Sequence, residues 1–232
     1  MRKRGKMYYK DHILVFACTH IPFEHPNYLD FCLEIQERVK CDTVVCCGDL
    51  VDNHALSMNH DSDPNGLSPN DEIQEARKHL KKWFKAFPDV LLSLGNHDRR
   101  VDLKGKHVGL PDDVFRPFRD IWDLPSGWKD DFSHEIDGVR YMHGTGLSGD
   151  NAPEKATTQN RQATVIAHVH HVGKSGYLVS NKDRILYMGV GCGIDIKRYA
   201  FEYGRDFIKR PFIGCGVVTD KGRLAQVFPM DL

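Results

Sequence analysis

This 232-residue sequence lacks a net charge: 32 lysines and arginines balance 32 aspartates and glutamates. A chain without an overall positive field does not draw in polyanions from a distance, so nucleic acid is an allowed but disfavoured partner. No apolar run is long enough to span a bilayer, and no apolar segment follows the basic start Met1-Arg2-Lys3-Arg4-Gly5-Lys6, so neither a membrane span nor a signal peptide is expected. The seven cysteines are odd in number and several sit in apolar runs, as at Cys46 and Cys47. That argues against a disulfide framework and for reduced thiols in the cytoplasm. Internal repeats, low-complexity linkers, a broad basic stripe and an evident aromatic stacking platform are also missing, which argues against a single-strand-binding surface.

What is present is the composition of a globular protein, with 41% hydrophobic and 28% charged residues. The length fits one domain spanning 1–232 with a basic extension over 1–10, read as a frayed, solvated terminus or as a nucleic-acid arm. Histidines number thirteen. Histidine is the commonest side-chain ligand for metals, so their placement carries information.

The pattern alternates strands and helices at first. The apolar run His12–Ala17 predicts a buried strand. Residues 27–39 predict a helix opened by Pro26 and Asn27, with Leu29, Cys32, Leu33 and Val39 on one face. Thr43–Cys47 predicts a second strand, the polar stretch 53–70 an exposed loop near the site, and Asn70 or Asp71 the start of a second helix with Ile73, Ala76, Leu80, Phe84 and Phe87 inward. Asp89–Leu94 predicts a third strand. The second half changes character. Residues 132–136 and 139–142 flank the dipeptide Asp137-Gly138, a hairpin signal. Further strands are expected at 164–167, near 177–180, and at 184–190, 212–219 and 223–228, the last two closing a hairpin at Asp220-Lys221-Gly222. Early βαβ units followed by an antiparallel half predict an α/β fold of two mixed sheets packed face to face with helices outside.

Five of these strands end in polar clusters: Cys18-Thr19-His20, Gly48-Asp49-Leu50-Val51-Asp52-Asn53, Gly95-Asn96-His97-Asp98, His143-Gly144 and His168-Val169-His170-His171. Carboxyl ends of strands are where α/β folds place their sites. Singly, a Gly-Asp after a strand is usually a turn and a His-x-His usually a surface pair. Five in order, each after a strand, point to one site.

In that order the chain resembles the calcineurin-like metallophosphoesterases, and most of all their small stand-alone bacterial and phage members. The family pattern is Asp-x-His, Gly-Asp-x-x-Asp, Gly-Asn-His-Asp/Glu, a lone His and Gly-His-x-His. The resemblance implies a four-layer αββα sandwich and two divalent ions drawn from Mn, Zn, Fe or Ni. One ion would be held by His20, Asp49 and His170 with a contribution from position 18. The other would be held by Asp49, Asn96, His143 and His168, with Asp49 bridging. It further implies hydrolysis of phosphate mono- or diesters, nucleotides among them, by a hydroxide shared between the ions. His97 would act on the leaving group, and Asp52 would orient it or, alternatively, merely cap a loop.

Two departures stand out. Asn53 occupies the position where protein phosphatases of the family carry a phosphate-clamping arginine, and Arg99 or Arg100 is the candidate replacement, the alternative being plain surface charge. Cys18 stands where the family has aspartate. It is either a soft thiolate ligand that disfavours Mn²⁺ or a small buried residue beside a weakened site. In the loop, His54 and His60 are candidates to touch substrate or are solvated. Cys192, in a glycine-rich strand end, is a nucleophile candidate without an identifiable base, or a buried small residue. The competing functions are a nuclease of the same superfamily and a metal-binding pseudoenzyme. The oligomeric state is not legible.

Overall fold

The computed structural model describes residues 12–57, 66–198 and 208–231. The basic run 1–10 and the part of the loop that contains His60 lie outside them.

A six-stranded and a five-stranded sheet form the body of the protein. The first is built on β1 (Ile13–Phe16), β2 (Thr43–Cys46), β3 (Val90–Ser93) and β4 (Trp128–Asp131), which run parallel in that order. β10 (Gly214–Thr219) and β11 (Leu224–Pro229) extend it antiparallel beyond β1. The second sheet has the order β5-β6-β7-β9-β8, from β5 (Ser133–Ile136), β6 (Val139–Met142), β7 (Ala163–Ile166), β8 (Gly173–Val179) and β9 (Arg184–Val190). The two inner faces meet closely. A β-carbon on Gly216 of β10 would lie 2.7 Å from the Met188 Cε of β9, so the absence of a side chain there sets the approach of the sheets.

Helices cover the outer faces. α1 (Tyr28–Val39) packs on β1, and α2 (Pro69–Ala86) places Trp83 with its ring 4.8 Å from that of Phe16. α5 (Ala152–Asn160) lies against β7 and β9. This is the α/β double sheet with outer helices that the pattern predicts. The hairpin signals are explained by backbone geometry: Asp137 and Gly138 both have positive φ (51° and 76°), as a two-residue type I′ connection needs. Asp220, Lys221 and Gly222 do likewise at the β10–β11 turn.

Several expectations need correction. α2 starts earlier, at Pro69, because Ser68 Oγ accepts the Asp71 backbone N–H and proline suits the first helical position. Its buried face includes Trp83 and Glu72, which the periodicity did not select. The stretch from 53 is not exposed at its start: Asn53 is buried, and His54–Leu56 form a 3₁₀ turn pinned by Glu72, which accepts the His54 and Ala55 N–H groups at 2.6 and 2.8 Å. β8 begins at Gly173 rather than near 177, since Gly173 and Gly176 make room for the Phe212 and Tyr187 rings. The short helices α3 (Arg100–His107) and α4 (Phe118–Ile121), together with α5 and β4, carry too few apolar residues to be seen as periodic.

Besides its ladder with β3, β4 is anchored by one large side chain. Trp128 is fully buried and its indole N–H donates to Phe87 O at 2.8 Å. Trp128→Ala should cost about 3–5 kcal/mol, the usual price of a large core truncation. Urea unfolding of parent and variant checks this; a loss under about 1 kcal/mol would mean that β4 is held by its ladder alone.

Candidate metal centre

Strand register brings the five polar clusters to one edge. β1, β2 and β3 run parallel, so their carboxyl ends deliver residues 18–20, 48–53 and 95–98 side by side. β6 and β7 run parallel in the other sheet and deliver His143 and His168–His170 opposite them. The chain turns sharply at each end. Cys18, His20, Asp49, Asn53 and His168 all have positive φ, between 48° and 62°. That left-handed region is uncommon for non-glycine residues. Here it aims successive side chains at the same point instead of to opposite faces of the strand.

Asp49 is the centre. Its Oδ2 lies 2.9 Å from His143 Nε2 and 3.8 Å from His20 Nε2, and its Oδ1 accepts the His97 backbone N–H at 2.8 Å. His143 Nδ1–H donates to Cys47 O at 2.8 Å, which points Nε2 inward. That Nε2 also stands 3.1 Å from Asn96 Oδ1 and 3.1 Å from His168 Nδ1. Four donor atoms from Asp49, Asn96, His143 and His168 therefore converge. A second group comprises Cys18, His20 and His170, whose ligand atoms all lie within 4.8 Å of one another. Cys18 also groups in this way with Asp49 and His143, so the thiol stands where the two groups meet.

Asp52 fixes the rings that flank Asp49. One of its oxygens, Oδ1, lies 2.7 Å from His20 Nδ1 and 2.6 Å from His97 Nδ1. Both nitrogens must donate to it, so His20 Nε2 keeps its lone pair and turns it toward His170 Nε2, 3.1 Å away. Asp52 thus contacts His20 as well as His97. The arginine beside His97 is Arg100, with Nη2 3.3 Å from His97 Nε2 and Nη1 donating to Asp52 O at 3.0 Å. Arg99 is turned away, its guanidinium 5.0 Å above the Phe132 ring centre. Arg99 is the cap that precedes α3 and Arg100 its first residue, so the two side chains leave the backbone in different directions and Arg100 is the one beside His97. Asn53 donates its side-chain N–H to His97 O at 2.9 Å. His54 stands with Nδ1 3.6 Å from Asp52 Oδ2. Cys192 is buried with its sulfur facing the His170 and Phe212 carbonyls, and burial pushes its thiol up to about 12, which suits the reading of a buried small residue.

The electrostatics differ among the inner rings: burial lowers His143 but the Asp49 carboxylate outweighs it and the net shift is upward, whereas His168, His170 and His20 are lowered. Burial, then the neighbouring His143, brings His168 down to about 4; burial, then His20, pushes His170 well below its ordinary value. Burial followed by the proximity of His97 lowers His20. His97 lies outside the donor groups. Burial lowers it, but the Asp49 and Asp52 carboxylates outweigh burial and the net shift is upward.

One residue with a structural task was missed in the sequence. Asp98 is buried, and its carboxylate accepts the N–H groups of Asp49 (2.9 Å), Gly95 (2.8 Å) and Val51 (3.2 Å). The i to i+3 bond back to Gly95 is the local signal that could have found it. Gly95 is needed beside it because a β-carbon there would overlap the Asp49 carboxylate.

The sequence matches the calcineurin-like phosphoesterase family over residues 12–199. Among solved structures it is similar to Vacuolar Protein Sorting 29 from Cryptosporidium parvum, at 14% identity and TM-score 0.51, covering 96% of this chain and 93% of that one. It is similar to a metallophosphoesterase from Sphaerobacter thermophilus (12% identity, TM-score 0.47, 95% and 88% covered) and to the E. coli phosphoesterase Yfce (12%, 0.41, 90% and 88%). No curated protein sequence matches it significantly.

Asp98→Ala would strand three buried backbone donors. Each unmet buried donor costs about 1–3 kcal/mol, so the variant should lose at least about 3 kcal/mol of stability and retain little metal. Urea unfolding and elemental analysis read both quantities. Normal stability together with full metal content would show that Asp98 is dispensable.

Proposed function

The chain belongs to the calcineurin-like phosphoesterase family, and we propose that it is a metal-dependent hydrolase of phosphate mono- or diesters. The observation that carries this reading is the convergence of the Asp49, Asn96, His143 and His168 donor atoms beside the Cys18–His20–His170 group.

The donors fit a pair of divalent ions. His20 Nε2 and His170 Nε2 approach to 3.1 Å while His20 Nδ1 is engaged by Asp52, and both rings resist protonation. A neutral His170 can bridge this gap with its Nε2–H, and a cation that displaced that proton would take both lone pairs. At the other group, one proton on His143 serves a single neighbour, whereas a cation serves four. We assign Cys18, His20, Asp49 and His170 to one ion and Asp49, Asn96, His143 and His168 to the other. Imidazole with thiolate at the Cys18 group suits Zn²⁺, Fe²⁺ or Ni²⁺, whereas imidazole, amide and carboxylate at the other group also accept Mn²⁺. When bound, the ions supply charge neutralisation at the phosphoryl oxygens and acidify a water.

The chain's own groups do the rest. Asp52 receives His97 Nδ1–H and holds the ring so that Nε2 faces out beside Arg100. The Asp49 and Asp52 carboxylates outweigh burial and make this imidazole more basic than usual, which favours its role as the group that passes a proton from Nε2 to the departing oxygen. Arg100 offers a fixed guanidinium next to that atom for a phosphoryl oxygen. Asn53, bonded to the His97 carbonyl, supports this turn where an arginine would otherwise reach the phosphate.

With Mn²⁺ or Zn²⁺ added, the protein should hydrolyse bis-p-nitrophenyl phosphate and bind two ions per chain. His97→Ala should lower kcat by about 10²–10⁴-fold with metal content unchanged. Metal lost along with activity would make His97 a ligand instead.

Cys18 decides between an active enzyme and a binding protein with an altered first site. Burial, then Asp49 and Cys192, holds the thiol well above its ordinary range, so without a cation it stays protonated. Aspartate accepts the left-handed backbone at this position more readily than cysteine. Cys18→Asp should therefore raise Mn²⁺-dependent turnover and give a larger Mn²⁺-induced rise in Tm than the parent shows. Identical turnover and identical metal preference in both proteins would put Cys18 outside the coordination sphere.

A further inference from the structure

Phe132 is a large aromatic residue left 62% exposed on the edge that carries the donor cluster. Its position follows from two registers. In the first sheet Ser93 pairs with Asp131, and Leu94 N–H donates to Asp131 O at 2.8 Å, so Phe132 follows β4 level with Leu94, two residues before Asn96. In the second sheet Ser133 pairs with Met142, so Phe132 precedes β5 opposite His143. Phe132 is thus the residue where the chain crosses from one sheet to the other, and it stands beside the backbone of two donor-bearing turns.

Its ring is not a stray surface group. Arg99 stacks on it with the guanidinium 5.0 Å from the ring centre, which orders the ring and adds a delocalised positive plane. The backbone N–H of Phe132 is tied to Asp131 Oδ1 at 2.6 Å, fixing its exit from the strand. A flat apolar face and a flat cation at the rim of a phosphate-binding centre match a planar aromatic group attached to a phosphate. The chain has no net charge and no basic stripe, so this chemistry points to a single nucleotide rather than a polymer.

We propose that Phe132 and Arg99 form a shelf on which the base of a mononucleotide ester stacks while its phosphate lies at the Asn96–His143 side of the cluster. This rests on the phosphoesterase reading above and adds the substrate class. The shelf recognises a base by its π-face, so it prefers nucleosides over alkyl groups and discriminates weakly among bases.

The test compares two diesters that release the same p-nitrophenol: thymidine 5′-p-nitrophenyl phosphate and methyl p-nitrophenyl phosphate, with the Mn²⁺-loaded full chain. The parent should favour the nucleoside ester by roughly tenfold or more in kcat/KM, mainly through KM. Phe132→Ala should bring that ratio close to one, and Phe132→Trp should keep it. A parent without preference, or a preference that survives Phe132→Ala, overturns the shelf while leaving the phosphoesterase reading intact. If neither ester is hydrolysed, the diester half of the phosphoesterase reading fails and calorimetry judges the shelf separately. Adenosine 5′-monophosphate should then bind at least tenfold more tightly than ribose 5-phosphate to the parent and not to Phe132→Ala; equal binding in the parent overturns the proposal. A single-stranded oligonucleotide binding far more tightly than the mononucleotide overturns the choice of a small substrate.

Discussion

The geometry of the cluster hangs on a buried carboxylate whose hydrogen bonds come from the backbone of the turns around it. Asp98 gathers the N–H groups of Asp49, Val51 and Gly95, and so ties the turn after β2 to the turn after β3. Adjacent parallel strands fix the spacing of their ends only to within the freedom of the following turns. Asp98 removes that freedom at the position where Asp49 must present one oxygen between two groups of ligands. Its burial beside another carboxylate is costly, and desolvation, then Asp49, pushes its carboxyl up to about 6. The three backbone donors offset part of that cost, and the surrounding structure stabilises the remainder. Gly48 and Gly95 belong to the same constraint. At Gly48, φ is +84° and a β-carbon would lie 2.8 Å from Gly95 N and 2.9 Å from His143 Nδ1, so neither glycine can gain a side chain without moving the ligands.

The second sheet contributes in a different way. His143 and His168 come from parallel neighbours, and Ala167 N–H donates to His143 O, so the two ligand turns share a backbone hydrogen bond. Across the gap, His143 Nδ1–H reaches Cys47 O of the first sheet. That bond selects the tautomer, aims Nε2 at Asp49 and joins the sheets at the site itself. Close packing of β9 on β10 holds the same two layers together away from the site. The centre is therefore assembled only once both sheets have formed, and no one supersecondary unit contains it.

Much of this was legible in the sequence, and the reasons differ by element. The central strands read correctly because both faces are buried, as in Ile13–Phe16, and continuous apolar runs have few other uses. The ligand clusters read as one site because each sits where a strand stops. What escaped was information that lies in contacts rather than in runs. Asp98 looks like the tail of Gly-Asn-His-Asp and reveals nothing of the three donors it collects. Glu72 looks like an exposed helix residue, yet it is buried under the turn of residues 54–56 that it holds. Arg99 and Arg100 are indistinguishable as neighbours in sequence; the turn into α3, which Arg99 caps and Arg100 opens, sends one to Phe132 and the other to His97. Phe132 was overlooked as a stacking surface because one exposed aromatic has no pattern, and its place at the rim depends on a strand, β4, whose Trp-Lys-Asp-Asp sequence does not look like one.

The backbone carries the same lesson in energetic form. Five of the eleven non-glycine residues with positive φ among those described belong to the site, while most of the others close hairpins or end helices. Each left-handed residue costs roughly 1–2 kcal/mol relative to an ordinary conformation. A chain spends that only where neighbouring bonds leave no alternative, and they do so here. Cys18 N–H donates to Gly48 O, His20 N–H to Asp49 O, Asp52 N–H to Ile21 O, and Gly193 N–H to Cys18 O. These bonds lock the turns after β1 and β2 against each other and against the segment after β9, residue by residue. A ligand turn in a relaxed conformation would let Asp49 and His20 swing apart, and the cluster's lone pairs would separate toward solvent. The strained turns instead hold them close, so the ordering cost is met during folding, and a cation at the proposed site would have only to displace protons and solvent.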